Sequence, residues 1–190
     1  TFVVLEKQDT EYDQYARPAK RRAWDGASIA ALTQFSYDNR GRLLCTAVRM
    51  NAATFASPPS DACTLGASGS FGADRISRKL YDVVGRISAE QSAYGTALAQ
   101  TTVAYTYTYT GQLETLKGAR NYLTTYEYEG HDRLTKLPYP DPSTPNLSST
   151  SDFEQFTFDA YGRPYQPRRR SGELFTLAWD NLGRLALRDA

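Results

Sequence analysis

A motif of seven residues recurs along the chain and limits what it can fold into more than any other feature. It reads aromatic residue, Asp, two variable residues, Gly, Arg and then, in most copies, an aliphatic residue. The fixed positions of the four complete copies are Tyr37, Asp38, Gly41 and Arg42; Tyr81, Asp82, Gly85 and Arg86; Phe158, Asp159, Gly162 and Arg163; and Trp179, Asp180, Gly183 and Arg184. A short motif that returns in this way predicts a repeat architecture.

Degenerate copies of the motif lie before and between the complete ones. The copy at Tyr12 has Ala16 in place of Gly, the copy at Tyr128 has its Gly shifted to Gly130, and a copy read from Tyr109 is two residues short. The anchor aromatic residues, which open each copy, then stand at positions 12, 37, 81, 109, 128, 158 and 179, with spacings of 25, 44, 28, 19, 30 and 21. The shortest spacings indicate the bare repeat, and the longer ones indicate insertions.

The residues that lead into the motif alternate between apolar and polar side chains. Segments 103–109, 122–128 and 175–179 show this period of two, which places their aromatic rings on one face of a strand. The Asp can accept a bond from a backbone N–H two residues on, and the Gly can adopt the positive φ of a bulged type I turn. Each copy is therefore predicted to be a β-hairpin, and the chain an all-β fold of consecutive hairpins.

Composition favours strands over helices. Aromatic residues make up 13% of the chain and include 14 Tyr, a set that suits pleated, half-buried surfaces. The Ala-containing run at 26–34 permits one short helix. Segments 51–77 (rich in Ala, Ser and Gly) and 138–152 (four Pro with many Ser and Thr) are predicted as loop-like insertions. No shift in composition marks a boundary, so residues 1–190 are predicted to form a single repeat array.

Two cysteines, Cys45 and Cys63, lie 18 residues apart. In an oxidising compartment they could form a disulfide that stabilises the fold by about 3 kcal/mol. The alternative is a pair of buried free thiols, and the sequence leaves both open. Two Cys and one His are too few for a structural zinc site, which takes about four such ligands. No metal or other cofactor is predicted.

Several residues could carry chemistry, but each fits a structural role better. His131 precedes Asp132 and could act with a serine, yet it occupies a variable turn position of a degenerate repeat. Glu127 and Glu129 could form a carboxylate pair on one strand face, where exposed glutamates are common. The motif aspartates recur in every complete copy, which favours turn formation over catalysis.

Two further segments invite a ligand-binding interpretation. The stretch Gly66–Gly72 lacks both the spacing of a nucleophile elbow and the Gly-Lys-Ser/Thr ending of a phosphate loop. Arg168, Arg169 and Arg170 could bind an anion or a nucleic acid, but the formal net charge is only +1, so a solvated hairpin tip is the better interpretation. No catalytic, cofactor-binding or metal-binding residue is predicted.

The tyrosine–aspartate anchor followed by Gly-Arg-Leu resembles the tyrosine–aspartate (YD) repeats of bacterial Rhs proteins, insecticidal toxin-complex shell subunits and animal teneurins. The resemblance extends from about Tyr12 to Leu185. It implies hairpins that coil into a curved, spiralling antiparallel sheet, a part of a hollow shell that encloses a toxic C-terminal domain in the bacterial members. Family cores end in an Asp-Pro-containing self-cleavage region, but Asp141-Pro142 lies outside the expected context, so neither protease nor toxin is implied here.

The resemblance implies a non-enzymatic structural segment, secreted or at the cell surface of a bacterium, that encloses or presents a toxin or partner domain. Its partner would be the remainder of a larger YD-repeat chain or an enclosed toxin domain, not a nucleic acid. No apolar run approaches the length of a membrane span. A second hypothesis is an extracellular carbohydrate- or protein-binding module that uses the aromatic sheet face. A third is a small hydrolase built on His131, a serine or the Glu127/Glu129 pair.

Overall fold

In the computed structural model of the protein, which describes residues 6–189, strands account for 51% of the chain and helix for 2%. The strands are β1 (Glu6–Tyr12), β2 (Pro18–Asp25), β3 (Ser28–Tyr37), β4 (Leu43–Arg49), β5 (Arg75–Tyr81), β6 (Ile87–Ser92), β7 (Gln100–Tyr107), β8 (Leu113–Gly118), β9 (Leu123–Thr125), β10 (Glu127–Tyr128), β11 (Leu134–Pro140), β12 (Ser148–Gln155), β13 (Thr176–Trp179) and β14 (Leu185–Asp189). One short 3₁₀ helix spans Ala52–Thr54.

The chain divides into two compact units, Thr1–Thr102 and Val103–Ala190. In the first unit β1 to β6 pair in chain order, and every neighbouring pair is antiparallel. In the second unit β7 to β9 pair in chain order, as do β10 to β12 and β13 with β14. The predicted all-β fold of consecutive antiparallel hairpins is thereby confirmed.

The prediction that residues 26–34 can form a short helix is wrong. Strand β3 covers Ser28–Tyr37, and Asp25 pairs directly with Ser28 across a turn in which Gly26 has a φ of +59°. Strand β3 lies between β2 and β4, with Leu32 fully buried. Pairing on both edges outweighs the helical preference of a few alanines, because propensity is a weak term beside tertiary context.

The first insertion folds over β3 to β5 and adds Phe55 and Ala62 to the buried apolar residues of the first unit. A disulfide joins Cys45 to Cys63 with a Cα–Cα distance of 5.3 Å, so the structure has the oxidised alternative. Cys45, Ala47, Ala62 and Ile76 form the buried cluster. Strand β5 begins at Arg75, so the last residues of the predicted 51–77 segment are already paired in the sheet.

A buried ion pair holds the end of this insertion. Arg49 Nη1 lies 2.7 Å from Asp74 Oδ2, and both side chains are 2% exposed. Arg49 also donates to Gln34 Oε1 at 2.7 Å and to the carbonyl oxygen of Thr64 at 2.7 Å. Asp74 accepts the backbone N–H of Met50 at 2.9 Å. The loop thus wraps around a guanidinium whose charge and donors are paired within the protein.

The second insertion is shorter than its composition suggests. Strand β11 continues to Pro140 and β12 begins at Ser148, which leaves a loop at 141–147. Asp141 Oδ1 accepts the backbone N–H groups of Ser143 at 2.7 Å and Thr144 at 2.9 Å, which makes this a side-chain-stabilised turn. Among the described residues, no helix has the length and apolar character needed to cross a membrane.

Candidate functional site

The four complete motifs form the same hairpin turn, which the copy at Asp38 illustrates. The Asp38 N–H donates to the carbonyl oxygen of Arg42 at 2.9 Å, and the Gly41 N–H donates to that of Asp38 at 2.9 Å. Asp38 Oδ1 accepts the backbone N–H groups of Arg40 and Arg42, both at 2.9 Å, while Oδ2 accepts Nε of Arg42 at 2.7 Å. One carboxylate therefore fixes the turn and orients the arginine.

The other three copies repeat this geometry. The Asp82, Asp159 and Asp180 carboxylates accept the Nε of Arg86, Arg163 and Arg184 at 2.7, 2.8 and 2.7 Å, respectively. The glycines Gly41, Gly85, Gly162 and Gly183 have φ values of +80°, +100°, +80° and +75°. This left-handed conformation is the reason for glycine at that position, since a Cβ is strained there.

Burial raises the pKa of Asp38, but hydrogen bonds from the backbone N–H and the guanidinium of Arg42 outweigh that effect and hold the pKa below its ordinary value. At Asp82 and Asp159 burial also raises the pKa, and hydrogen bonds from Arg86 and Arg163, respectively, outweigh it, so that the pKa is lowered. For Asp180 the backbone N–H of Arg184 is the largest influence, and it also lowers the pKa. The turn carboxylates are therefore ionised acceptors at neutral pH, which is the form a turn needs.

The arginine of one repeat lies on the anchor aromatic ring of a following repeat. Guanidinium carbons stand 4.3 Å from the ring centroid for Arg17 over Tyr37, 4.1 Å for Arg42 over Tyr81, 4.5 Å for Arg133 over Phe158 and 5.7 Å for Arg163 over Trp179. These distances are in the range of favourable cation–π contacts. Each arginine thus bridges the acidic residue of its own turn and a following repeat.

The anchor ring also returns a hydrogen bond to the preceding repeat. The tyrosine hydroxyl or the tryptophan N–H donates to a backbone carbonyl oxygen of an earlier repeat. The acceptor residue directly follows the arginine of that earlier motif, or the glutamine that replaces it. The distances are 3.0 Å for Tyr37 to Pro18, 2.7 Å for Tyr81 to Leu43, 2.8 Å for Tyr128 to Leu113 and 2.8 Å for Trp179 Nε1 to Pro164. We call the combination of the stacked arginine and this returned hydrogen bond the turn interlock.

The turn glycine has a second role in the interlock, because the arginine of the preceding repeat passes over it. A Cβ added at Gly85 would stand 3.2 Å from Nη1 of Arg42, and one at Gly41 would stand 3.2 Å from Nη1 of Arg17. At Gly183 nothing lies within 4 Å of such a Cβ. At Gly41 and Gly85, glycine therefore meets two needs: a positive φ, and space for the arginine of the preceding repeat.

The prediction that Tyr109 anchors a shortened copy is wrong. The turn bonds join Thr108 N–H to the carbonyl oxygen of Gln112 at 2.8 Å and Gly111 N–H to that of Thr108 at 3.1 Å. Thr108 Oγ1 accepts the N–H of Gln112 at 3.1 Å, so threonine and glutamine replace aspartate and arginine. The anchor is Tyr107, this copy has the full seven-residue length, and Tyr109 is a solvent-exposed tip residue.

The copy at Tyr128 keeps the turn with different residues. Glu129 takes the place of aspartate and bonds to Nε of Arg133, while Asp132 takes the glycine position with a φ of +59°. Glu129 therefore lies in a turn and does not share a strand face with Glu127, so they are not a carboxylate pair of the kind considered from the sequence. His131 is an exposed residue at the tip of this turn.

An unpredicted copy lies at the arginine run. The Arg169 N–H donates to the carbonyl oxygen of Glu173 at 2.8 Å, and the Gly172 N–H donates to that of Arg169 at 2.9 Å. Here the charges are reversed, with Arg169 at the aspartate position and Glu173 at the arginine position, 4.0 Å apart. Arg169 and Arg170 thus lie exposed at a hairpin tip, while Arg168 is half-buried against Phe153, and the spacing to Gly172 is the signal in the sequence that identifies this copy.

The remaining candidate residues are not brought together into a reactive site. In Gly66–Gly72, Gly69 and Gly72 form a small antiparallel bridge, and the Gly66 N–H donates to Asp74 Oδ2 at 2.8 Å. Within residues 6–189, no three His, Cys, Asp or Glu side chains converge in a way that could hold a metal ion. The repeated chemistry of the chain is the turn interlock.

Comparison with known proteins finds likeness in structure alone. No protein-family model matches the chain, and no curated protein matches it. Chains in crystal structures of TcdB2-TccC3-Cdc42 and of TcdB2-TccC3 without its hypervariable C-terminal region align with 95% of this chain at a TM-score of 0.50 and 15% identity. A chain of the Photorhabdus luminescens Tc holotoxin pore with a mutated TccC3 aligns equally well. This chain spans 11–12% of their length. The likeness shows that the chain shares its all-β fold with parts of Tc toxin-complex chains.

Proposed function

We propose that the chain is a non-enzymatic structural segment of a YD-repeat shell that encloses or presents a toxin or partner domain. The observation that carries this proposal is the turn interlock. An aspartate and an arginine in one repeat seat the anchor ring of the next repeat beside its own turn glycine, as Asp38 and Arg42 do for Tyr81 and Gly85. Such contacts link neighbouring repeats into a stiff array, as in other repeat proteins.

The proposed partner is the remainder of a larger YD-repeat chain or a toxin domain enclosed by it. The fold likeness to toxin-complex chains that are much longer than this one supports that assignment. The disulfide between Cys45 and Cys63 supports a secreted or cell-surface location, because disulfides persist in oxidising compartments.

A recognition module for a carbohydrate or protein is the second candidate. The anchor rings do not favour it, because cations already cover Tyr37, Tyr81 and Trp179. Among the described rings the most exposed are Tyr109 and Tyr161 at turn tips, with 106% and 84% of the reference surface exposed, and the guanidinium of Arg163 lies 5.0 Å from the centroid of the Tyr161 ring. A recognition role would therefore use the turn tips and not the sheet face. Quenching of Trp24 or Trp179 fluorescence by glycans would contradict this placement.

The native polypeptide tests the proposal. It would be recovered from its source under non-reducing conditions with an antibody raised against this chain, and its mass compared with 21.2 kDa. A protease would then be added before and after unfolding in urea. We expect a polypeptide several times longer, with a segment that is digested only after the array unfolds. A native mass near 21.2 kDa with no protected segment would rule out the shell.

A hydrolase screen addresses the enzymatic alternative. The chain, His131→Ala and Glu127→Gln would be assayed against chromogenic esters, glycosides and peptides. We expect no turnover that depends on either side chain, because His131 and Glu127 are exposed and lie in a turn and a two-residue strand. Turnover abolished by one substitution would overturn the non-enzymatic role.

A further inference from the structure

The last strands of the second unit line an open cavity that the turn interlock does not use. It has a volume of about 390 Å³, within the range of about 300–1,000 Å³ that is typical of small-ligand sites. Its apolar lining includes Phe156, Phe175, Leu177 and Leu185, and Arg169 and Arg188 also line it. Phe175 is 7% exposed, so the floor is formed by a well-packed ring.

Strand pairing explains why these side chains meet. The Phe175 N–H donates to the carbonyl oxygen of Pro167 at 3.0 Å, which aligns β13 with the segment before the Arg169 turn. Leu177 pairs with Arg188 across β13 and β14, so the two side chains emerge on the same face. Directly opposite residues in an antiparallel pair always share a face. The cavity is therefore built by the register of the sheet.

Two guanidinium groups are held at this cavity by one aromatic ring. The guanidinium carbons of Arg169 and Arg188 lie 4.4 Å and 5.0 Å from the centroid of Phe175. The lining contains three arginines in all, with Arg168 as the third, and one acidic residue, Glu154. Glu154 is also engaged by a hydrogen bond with Tyr139, whose pKa is raised by burial and by the charge of that carboxylate. The cavity thus combines apolar side chains with more basic than acidic lining residues; of these, Arg169 also lies 4.0 Å from Glu173 and Arg168 donates to the carbonyl oxygen of Phe153.

We propose that this cavity binds a small apolar carboxylate. The ring or chain of the ligand would lie on Phe156, Leu177 and Leu185, and its carboxylate would take hydrogen bonds from Arg169 and Arg188. Arginine forks match a carboxylate in charge and in planar geometry. A neutral sugar would meet few uncharged polar partners on this lining, and inorganic phosphate would leave the apolar floor uncovered.

Cinnamate is a suitable probe, with cinnamamide as its neutral, nearly isosteric control. Isothermal titration calorimetry of the 190-residue chain would compare the two. A ligand of this size should bind with a Kd of about 1 mM or tighter. We expect Arg188→Gln and Arg169→Gln each to weaken cinnamate binding about 10-fold, since each removes one charge-assisted contact. Arg188 lies on an exposed strand, so its substitution should leave the fold intact.

Arg21→Gln is the matched control variant, because Arg21 also stacks on a phenylalanine, Phe35, at 5.3 Å, but in the first unit. It should bind cinnamate as the unchanged chain does. The proposal would be overturned by equal binding of cinnamamide, by unchanged affinity in both Arg169→Gln and Arg188→Gln, or by an equal loss in Arg21→Gln. The outcome is independent of the structural role proposed above.

Discussion

The guanidinium of Arg42 lies 4.1 Å from the centroid of the Tyr81 ring, and the hydroxyl of Tyr81 donates to the carbonyl oxygen of Leu43 at 2.7 Å. Arg42 also bonds to Asp38 through Nε, while its Nη1 is buried and has no hydrogen-bond partner within the described part of the chain. The face of the Tyr81 ring is therefore the main contact of the buried Nη1 group of Arg42. Because the cation is partly withdrawn from water, the contact gains strength over an exposed one.

Removing this arginine should loosen two repeats at once. We expect Arg42→Ala to lower the free energy of unfolding by about 1–2 kcal/mol, the sum of a desolvated cation–π contact and an ion pair. Urea unfolding followed by tyrosine fluorescence measures the change. Arg184→Ala is the matched control, because Arg184 makes the same ion pair with Asp180 but its side chain is 74% exposed. If Arg184→Ala lowers the free energy of unfolding as much as Arg42→Ala does, the interlock adds no stability beyond that of the turn itself.

Gly85 should tolerate alanine less well than Gly183. Both glycines have positive φ values, so a Cβ costs about 1–2 kcal/mol of backbone strain at either position. At Gly85 the Cβ would also press on Nη1 of Arg42, whereas at Gly183 it meets open space. Thermal unfolding should therefore show a larger loss for Gly85→Ala. In the background of Arg42→Ala the excess should disappear, and its persistence would contradict the close approach as the cause.

The turn aspartates should make the fold sensitive to acid. The folded-state pKa of Asp38 lies below its ordinary value, so the unfolded chain binds more protons as the pH falls. The stability from Asp38 is present above about pH 4, the ordinary pKa region, and is lost as the pH falls through the lowered folded-state pKa. Asp38→Asn should thus be less stable than the unchanged chain at pH 7 and equal to it in strong acid. A gap in urea midpoint that stays constant with pH would exclude this linkage.

Whether the sequence alone predicts an interaction depends on how far apart in the sequence its two residues lie. The bonds of Asp38 end within four residues, at Arg42, so the turn could be derived from local chemistry. The stacking of Arg42 on Tyr81 spans an insertion, and nothing in the spacing of the residues specifies it. The position of the interlock had to come from the structure.

The misassigned anchor has a different cause. Tyr105, Tyr107 and Tyr109 alternate in the sequence, and a threonine follows each of Tyr105, Tyr107 and Tyr109, so residue type does not single out the anchor. Counting back four residues from Gly111 gives Tyr107. Spacing to the glycine is therefore a better guide than the tyrosine–aspartate pair, because the glycine meets a backbone requirement that few residues satisfy.

The ion pair between Arg49 and Asp74 should be essential to the first insertion. Both side chains are 2% exposed, and removing the carboxylate would leave a buried guanidinium charge uncompensated. We expect Asp74→Ala to cost about 3–5 kcal/mol in the free energy of unfolding, measured with urea. Asp152→Ala is the control, because Asp152 forms an equally short pair with Arg170, whose side chain is 58% exposed. Asp152→Ala should have little effect on the free energy of unfolding. Equal losses for the two substitutions would show that burial is not the reason for the cost of Asp74→Ala.

Reduction of the disulfide between Cys45 and Cys63 should release the first insertion before the rest of the first unit unfolds. The bond closes an 18-residue separation and is worth about 3 kcal/mol on chain-entropy grounds. The insertion contains Phe55, inside the loop that the disulfide closes, and Leu65, two residues beyond it, so chymotrypsin can report its opening. We expect dithiothreitol, or the double substitution Cys45→Ser and Cys63→Ser, to produce early cleavage at these residues, identified by mass spectrometry. The unreduced chain under the same conditions is the control. First cleavage at Phe35 on strand β3, between β2 and β4 in the sheet, would instead indicate that the disulfide supports the sheet more than the insertion.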